Sequence, residues 1–238
     1  LNSLQKKNQD QKIYLNYGVY KLIDKQNSLL PLSGYENSKI LLCLDENNKP
    51  IYYISDKNGF NTQSYKNNDF LLIGDSYVQG MCVDNENNLN SQFQKFSQKT
   101  SSLGVGGNGP LIELATFKEF KDDYQYKNII IFITPSNDFK DLENEVKNKT
   151  LLKYLNIKNY KQNLILKKEQ KKIILDSFFG NKTNRFFNDF FSVYHFNLKS
   201  LGNLIETIFK DKNKSTSNIE YLKNKKIDNF FIKILDEF

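Results

Sequence analysis

The sequence predicts an α/β protein organised on a parallel sheet. Two observations carry this. The central block alternates short apolar runs with segments of helical spacing, and the connections between them are short. Each apolar run also ends in a segment rich in glycine or small polar residues, as strands do where they turn into helices. Asp69-Phe-Leu-Leu-Ile73 stops at Gly74 and reads as a strand buried on both faces. Leu89–Gln98 has helical spacing. Thr100–Val105 reads as a second strand that ends in a glycine-rich turn, and Leu111–Phe120 as a helix. Asn128–Thr134, with three consecutive isoleucines, is the clearest strand, and a helix is expected after Asn137.

The flanks have a different texture. Residues 1–30 are polar, with Ile13, Leu15, Val19, Leu22 and Ile23 as the clustered apolar positions. Ile40–Leu44 and Ile51–Ile54 are predicted strands around an Asn- and Pro-containing turn. Asp56–Gly59 is a second turn, so 31–66 reads as an antiparallel hairpin leading into the main domain. After residue 150, Leu151–Leu175 and Phe186–Phe209 read as mostly helical, Lys212–Asn218 as a polar loop, and Asn229–Phe238 as the start of an amphipathic helix. The expected organisation is one domain in three stretches: an N-terminal extension over 1–66, an α/β core over 67–150 and a helical region over 151–238.

Composition narrows the function. The 238 residues are 39% hydrophobic and 26% charged, with 11 Gly and 4 Pro, which excludes collagen-like and low-complexity chains. No apolar run approaches the ~18 residues of a membrane helix. The net charge is +7, but the cations are nearly all lysine: Arg185 is the single arginine. Lysines spread among Asp and Glu describe a solvated surface, so no nucleic-acid partner is expected. No pair of histidines and no spaced acidic cluster suggests a metal, and no organic cofactor is implied. Cys43 and Cys82 exclude a multi-cysteine zinc module. They read either as two buried thiols or as a disulfide tying the N-terminal segment to the Gly74 region, which would require an oxidising compartment such as the cell envelope.

Three strand ends hold residues with chemistry. In Gly74-Asp75-Ser76 a hydroxyl stands where a buried strand opens into a helix; the structural alternative is helix capping by Asp75 or Ser76. In Gly104-Val-Gly106-Gly107-Asn-Gly109-Pro110 bare backbone can approach a ligand. The glycine spacing departs from a dinucleotide fingerprint, and Pro110 suits the first turn of a helix. In Thr134-Pro-Ser136-Asn137-Asp138 a carboxamide reaches the same rim, or else caps a helix.

The ordered triple of Gly-Asp-Ser, a glycine turn and Asn-Asp over about residues 68–145 resembles the SGNH (GDSL-type) hydrolases. The resemblance implies a flavodoxin-like, three-layer α/β core around a five-stranded parallel sheet. It also implies a serine esterase acting on ester or acyl groups, for example of acylated glycans or lipids. Carried over by position, Ser76 is the nucleophile, and Gly107 N–H, Asn137 Nδ2 and Ser76 N–H are oxyanion-hole donors, with Gly74, Asp75 and Asp138 in support. Two departures stand out. Ser136 replaces the glycine that usually precedes Asn-Asp. The Asp-x-x-His block that supplies the base is absent: Ser192 stands three residues before the one histidine, His195, whose aromatic neighbours suit a packing role. The expectation is therefore a core truncated at the C-terminal end, a histidine block beyond Phe238, and residues 1–238 that turn over ester poorly on their own. The competing expectation is a non-catalytic SGNH-like binding protein without a base.

Overall fold

In a computed structural model, the described residues are 13–180, apart from 17, 23–28, 46, 48, 64, 66, 97, 98 and 136, together with 225–238. The expectations for Ile23, Ser136, Arg185, His195, Phe186–Phe209 and Lys212–Asn218 lie outside them.

The N-terminal sheet contains β1 (Ile13–Leu15), β2 (Lys39–Leu44) and β3 (Pro50–Ile54). The β2–β3 hairpin is antiparallel, as its turn chemistry predicts: Asp45 Oδ1 accepts from the N–H groups of Asn47 and Lys49 and closes the loop. β1 adds to the outer edge of β2 in parallel, a pairing that a three-residue strand could not announce.

The second sheet contains β4 (Asn68–Ile73), β5 (Thr100–Ser102) and β6 (Tyr126–Ile131), in the order β5-β4-β6 and parallel throughout. Both flanking strands stop earlier than their apolar runs. β6 loses its partner where Phe132 N–H makes a last bond to Ile73 O and the chain leaves at Gly74; β5 ends likewise after Leu103 N–H reaches Leu72 O. Alternation sets the faces. Phe70 meets Phe93 of α2 (Leu89–Phe96), while Leu71 and Ile73 join the main core on the other side.

The connections carry α1 (Ser76–Gln79), a single turn, then α3 (Pro110–Phe120) and α4 (Asp138–Glu145). Helix α3 is apolar on nearly every face and buried along almost its whole length, as befits the central helix. Pro110 occupies its first turn, as expected. The predicted helical run 151–175 is instead two helices, α5 (Lys149–Asn156) and α6 (Lys168–Leu175). Between them Asn159 and Asn163 take left-handed conformations (φ 60° each), which asparagine tolerates and a helix does not. The last helix, α7 (Lys225–Leu235), begins before the predicted Asn229.

One buried apolar cluster runs through Val19, Tyr53, Ile73, Leu114, Leu151, Leu175 and Ile234. Buried polar groups brace it. Glu119 of α3 accepts from Tyr154 of α5 and from the N–H of Leu164, and Lys171 of α6 pairs with Glu36 at 2.7 Å. Cys43 on β2 and Cys82, three residues after α1, form a disulfide with Cα atoms 5.5 Å apart. No helix among the described residues is long and apolar enough to cross a membrane.

Candidate active site

Because β4, β5 and β6 are parallel, their C-terminal ends share one edge, and the three candidate loops leave from it. In each loop the accessible candidate residue stands beside a buried one. Ser76, Gly107 and Asn137 are half-exposed; Asp75, Gly106, Asn108 and Asp138 are buried.

Asp75 is the hub. Its Oδ1 accepts from Tyr77 N–H at 3.0 Å, so it does cap α1. Its Oδ2 is approached at 3.4 Å by both Ser76 Oγ and Asn137 Nδ2. Two contacts to one oxygen put the hydroxyl and the carboxamide no farther apart than twice that distance. Asn137 stands at the N-cap position of α4 but makes no capping bond with its side chain; its amide turns instead to Asp75 and, again at 3.4 Å, to Asp141. The carboxyl that serves the start of α4 is Asp138, which accepts from Thr134 N–H.

The glycine turn packs directly on α1. A Cβ on Gly104 would lie 2.3 Å from Gln79 N and 2.5 Å from Val78 C, both backbone atoms, so only glycine lets this loop come so close. A Cβ on Gly106 would lie 3.6 Å from Ser76 Cβ. Gly107 has φ +79°, in the region that favours glycine. Neither Ser76 N–H nor Gly107 N–H has an acceptor among the described residues. The amides that open α3 are already engaged: Gly109 N–H reaches Glu145 Oε1 at 2.7 Å, and Leu111 N–H reaches Oε2 at 2.9 Å. That engagement leaves no phosphate cradle there and argues against nucleotide binding by this loop.

Sequence reasoning named Asp75 and Asp138 but missed Glu113, Asp141 and Glu145, the other acids behind the rim. Glu113, Asp138 and Glu145 are each 1% exposed, and Asp75 is 3% exposed. Burial, then the charges of Asp138, Glu145, Asp75 and Asp141, pushes the Glu113 carboxyl well above its usual range. Burial raises Asp138 to about 7, opposed by Thr134 N–H and reinforced by Asp75 and Asp141. Burial raises Glu145 to about 8 against the three N–H groups it accepts, and Asp141 also goes up. The rim is thus backed by buried carboxyls, of which Asp138 and Glu145 hold their protons near neutrality. The signal available in the sequence was Glu113, a lone acid inside the apolar run Pro110-Leu-Ile-Glu-Leu-Ala115.

Among the described residues no group of acids, cysteines and histidines has the arrangement to hold a metal ion. A cleft of about 900 Å³ lined by Asn67, Asp69, Lys99, Lys121 and Lys127 lies at the opposite end of the strands. It contains none of the candidate residues, and Lys127 is paired with Asp69 at 2.7 Å.

No protein-family model matches this chain, and no curated protein or solved structure matches it.

Proposed function

We propose that this chain is a serine-dependent ester or acyl hydrolase of the SGNH type, with Ser76 as nucleophile. One observation carries the reading: Ser76 Oγ and Asn137 Nδ2, from two different strand ends, converge on the same oxygen of Asp75 at 3.4 Å each. The rim of one parallel sheet thereby presents a hydroxyl and a carboxamide together, beside a glycine turn. In the proposed reaction Ser76 Oγ bonds to the substrate's acyl carbon and its proton leaves to a base. The carbonyl oxygen takes up charge between Ser76 N–H, Gly107 N–H and Asn137 Nδ2; the ester C–O bond breaks as the base gives its proton to the departing alcohol, and water, deprotonated by the same base, then cleaves the acyl–Ser76 ester, releasing the acid and restoring the hydroxyl. Fixed donors of this kind contribute roughly 3 kcal/mol each to the barrier. Asn137 Nδ2 must tighten from its long carboxylate contacts onto the oxyanion, and a neutral Asp138 nearby lowers the electrostatic cost of that charge.

The proton acceptor belongs outside the described residues, which include no histidine. The resemblance puts it in an Asp-x-x-His block. Tyr77, exposed and next in sequence to the nucleophile, offers an aromatic ring that suits the acyl or sugar part of an acylated glycan or lipid. The same missing acceptor favours a second reading, a binding protein of SGNH type without turnover. Full-length protein assayed on p-nitrophenyl acetate beside Ser76→Ala separates the two. The hydrolase reading expects Ser76-dependent release of nitrophenolate; equal rates for both proteins leave only the binding reading.

A further inference from the structure

We propose that Gln79 is the positioning residue of this site: its buried amide locks the glycine turn to the one-turn helix that carries Ser76, and locks both to the N-terminal sheet. The inference rests on the reading of Ser76 as nucleophile and extends it to a residue that touches no substrate.

The geometry is specific. Gln79 is the last residue of α1 and is 3% exposed. Its Oε1 accepts from Gly106 N–H at 2.9 Å, and from Asn16 Nδ2, just after β1, at 3.2 Å. Its Nε2 donates to Asn16 Oδ1 at 2.7 Å. The backbone of Gln79 is held as well: its carbonyl accepts from Asn61 Nδ2 at 2.8 Å, and its N–H reaches Asp75 O at 3.0 Å. One amide therefore fixes the Val105–Gly106 peptide, next to the peptide that carries Gly107 N–H, and it does so from three residues beyond the nucleophile. The role needs an acceptor for Gly106 and a donor for Asn16 at once. Methionine, of similar shape, supplies no donor and only a weak acceptor; a protonated glutamic acid supplies both. The N-terminal sheet then has a function in the site, since Asn16, just after β1, orients the amide that orients the turn.

The experiment compares full-length wild type, Gln79→Met, Gln79→Glu and Asn16→Ala. It measures kcat and KM on p-nitrophenyl acetate and amide exchange at Gly106 and Gly107. Gln79→Met is expected to lose about 10²-fold in kcat, the cost of misplacing a catalytic group by about 1 Å, with KM little changed. Gln79→Glu is expected to recover at least a tenth of wild-type kcat. Gly106 exchange is expected to quicken in Gln79→Met and not in Gln79→Glu. Unchanged kcat in Gln79→Met, or equal loss in both Gln79 variants, overturns the proposal. If Gln79→Met fails to fold, Asn16→Ala decides: a kcat loss with faster Gly106 exchange supports the clamp, and wild-type values for both refute it. Absence of Ser76-dependent turnover in wild type would instead refute the hydrolase reading. The clamp would then stand or fall on Gly106 exchange alone.

Discussion

Asp138 makes the stability of this protein depend on pH in a direction opposite to that of an ordinary surface carboxylate. It is 1% exposed, its Oδ1 has no partner among the described residues, and the neighbouring charges of Asp75 and Asp141 oppose its ionisation. The folded protein holds the proton to about pH 7, whereas the unfolded chain releases it near the ordinary value of 3.8. Between these limits the native state binds more protons than the unfolded state, so stability falls as pH rises. The stabilisation is fully present below about pH 4 and is lost as pH passes 7. The slope is ~1.4 kcal/mol per pH unit for one such proton, or on the order of 4 kcal/mol across the window. Asp138→Asn keeps an oxygen for Thr134 N–H and removes the ionisation. Urea unfolding followed by circular dichroism, from pH 4.5 to 8, should show the variant no more stable than wild type at the acid end and clearly more stable at pH 7. Glu145, Glu113 and Asp141 impose the same sign on both proteins, so the difference between the curves reports Asp138 together with its coupling to Glu113. Parallel curves would refute the reasoning.

Other outcomes follow from the same contacts. Gly104→Ala drives a methyl into the backbone of α1 and should cost roughly 3 kcal/mol or more in denaturant unfolding, because the obstructing atoms are not a flexible side chain. Reducing the Cys43–Cys82 bridge, which spans 39 residues, should remove roughly 4 kcal/mol on the chain-entropy account, seen as a lower Tm with dithiothreitol that is absent in Cys43→Ser. On the proposed hydrolase reading, Asn137→Ala should lower kcat about 10²-fold with little effect on KM, since the lost donor would act on the transition state; a change in KM alone would count against the proposed oxyanion role.

The parts that were legible in the sequence are those with a period or a strict turn requirement. Leu71–Ile73 declares a buried strand and Ile129–Ile131 a half-buried one, Pro110 and the apolar run behind it declare α3, and Asp45–Pro50 declares the hairpin. Strand lengths were less legible, because a ladder ends where its partner leaves: β6 stops at Ile131 since β4 turns away at Gly74. The break between α5 and α6 depended on Asn159 and Asn163 adopting left-handed geometry, which local composition permits without requiring. The Cys43–Cys82 pairing needed the distance between two sheets, and spacing does not encode it. Gln79 lay in a helix too short to show a period, and its partners stand 63 residues upstream and 27 residues downstream. Glu145 was masked for a related reason. At the end of a polar helix it looks solvated, and only the tertiary fold brings it under the first turn of α3.

The most direct test of the central claim is covalent capture. Treat the full-length protein with diethyl p-nitrophenyl phosphate and map the adduct by mass spectrometry. Transfer of a diethylphosphoryl group to Ser76 alone, slowed in Asn137→Ala and abolished in Ser76→Ala, is the predicted result. An unmodified Ser76, or labelling that persists undiminished in Ser76→Ala, would contradict it.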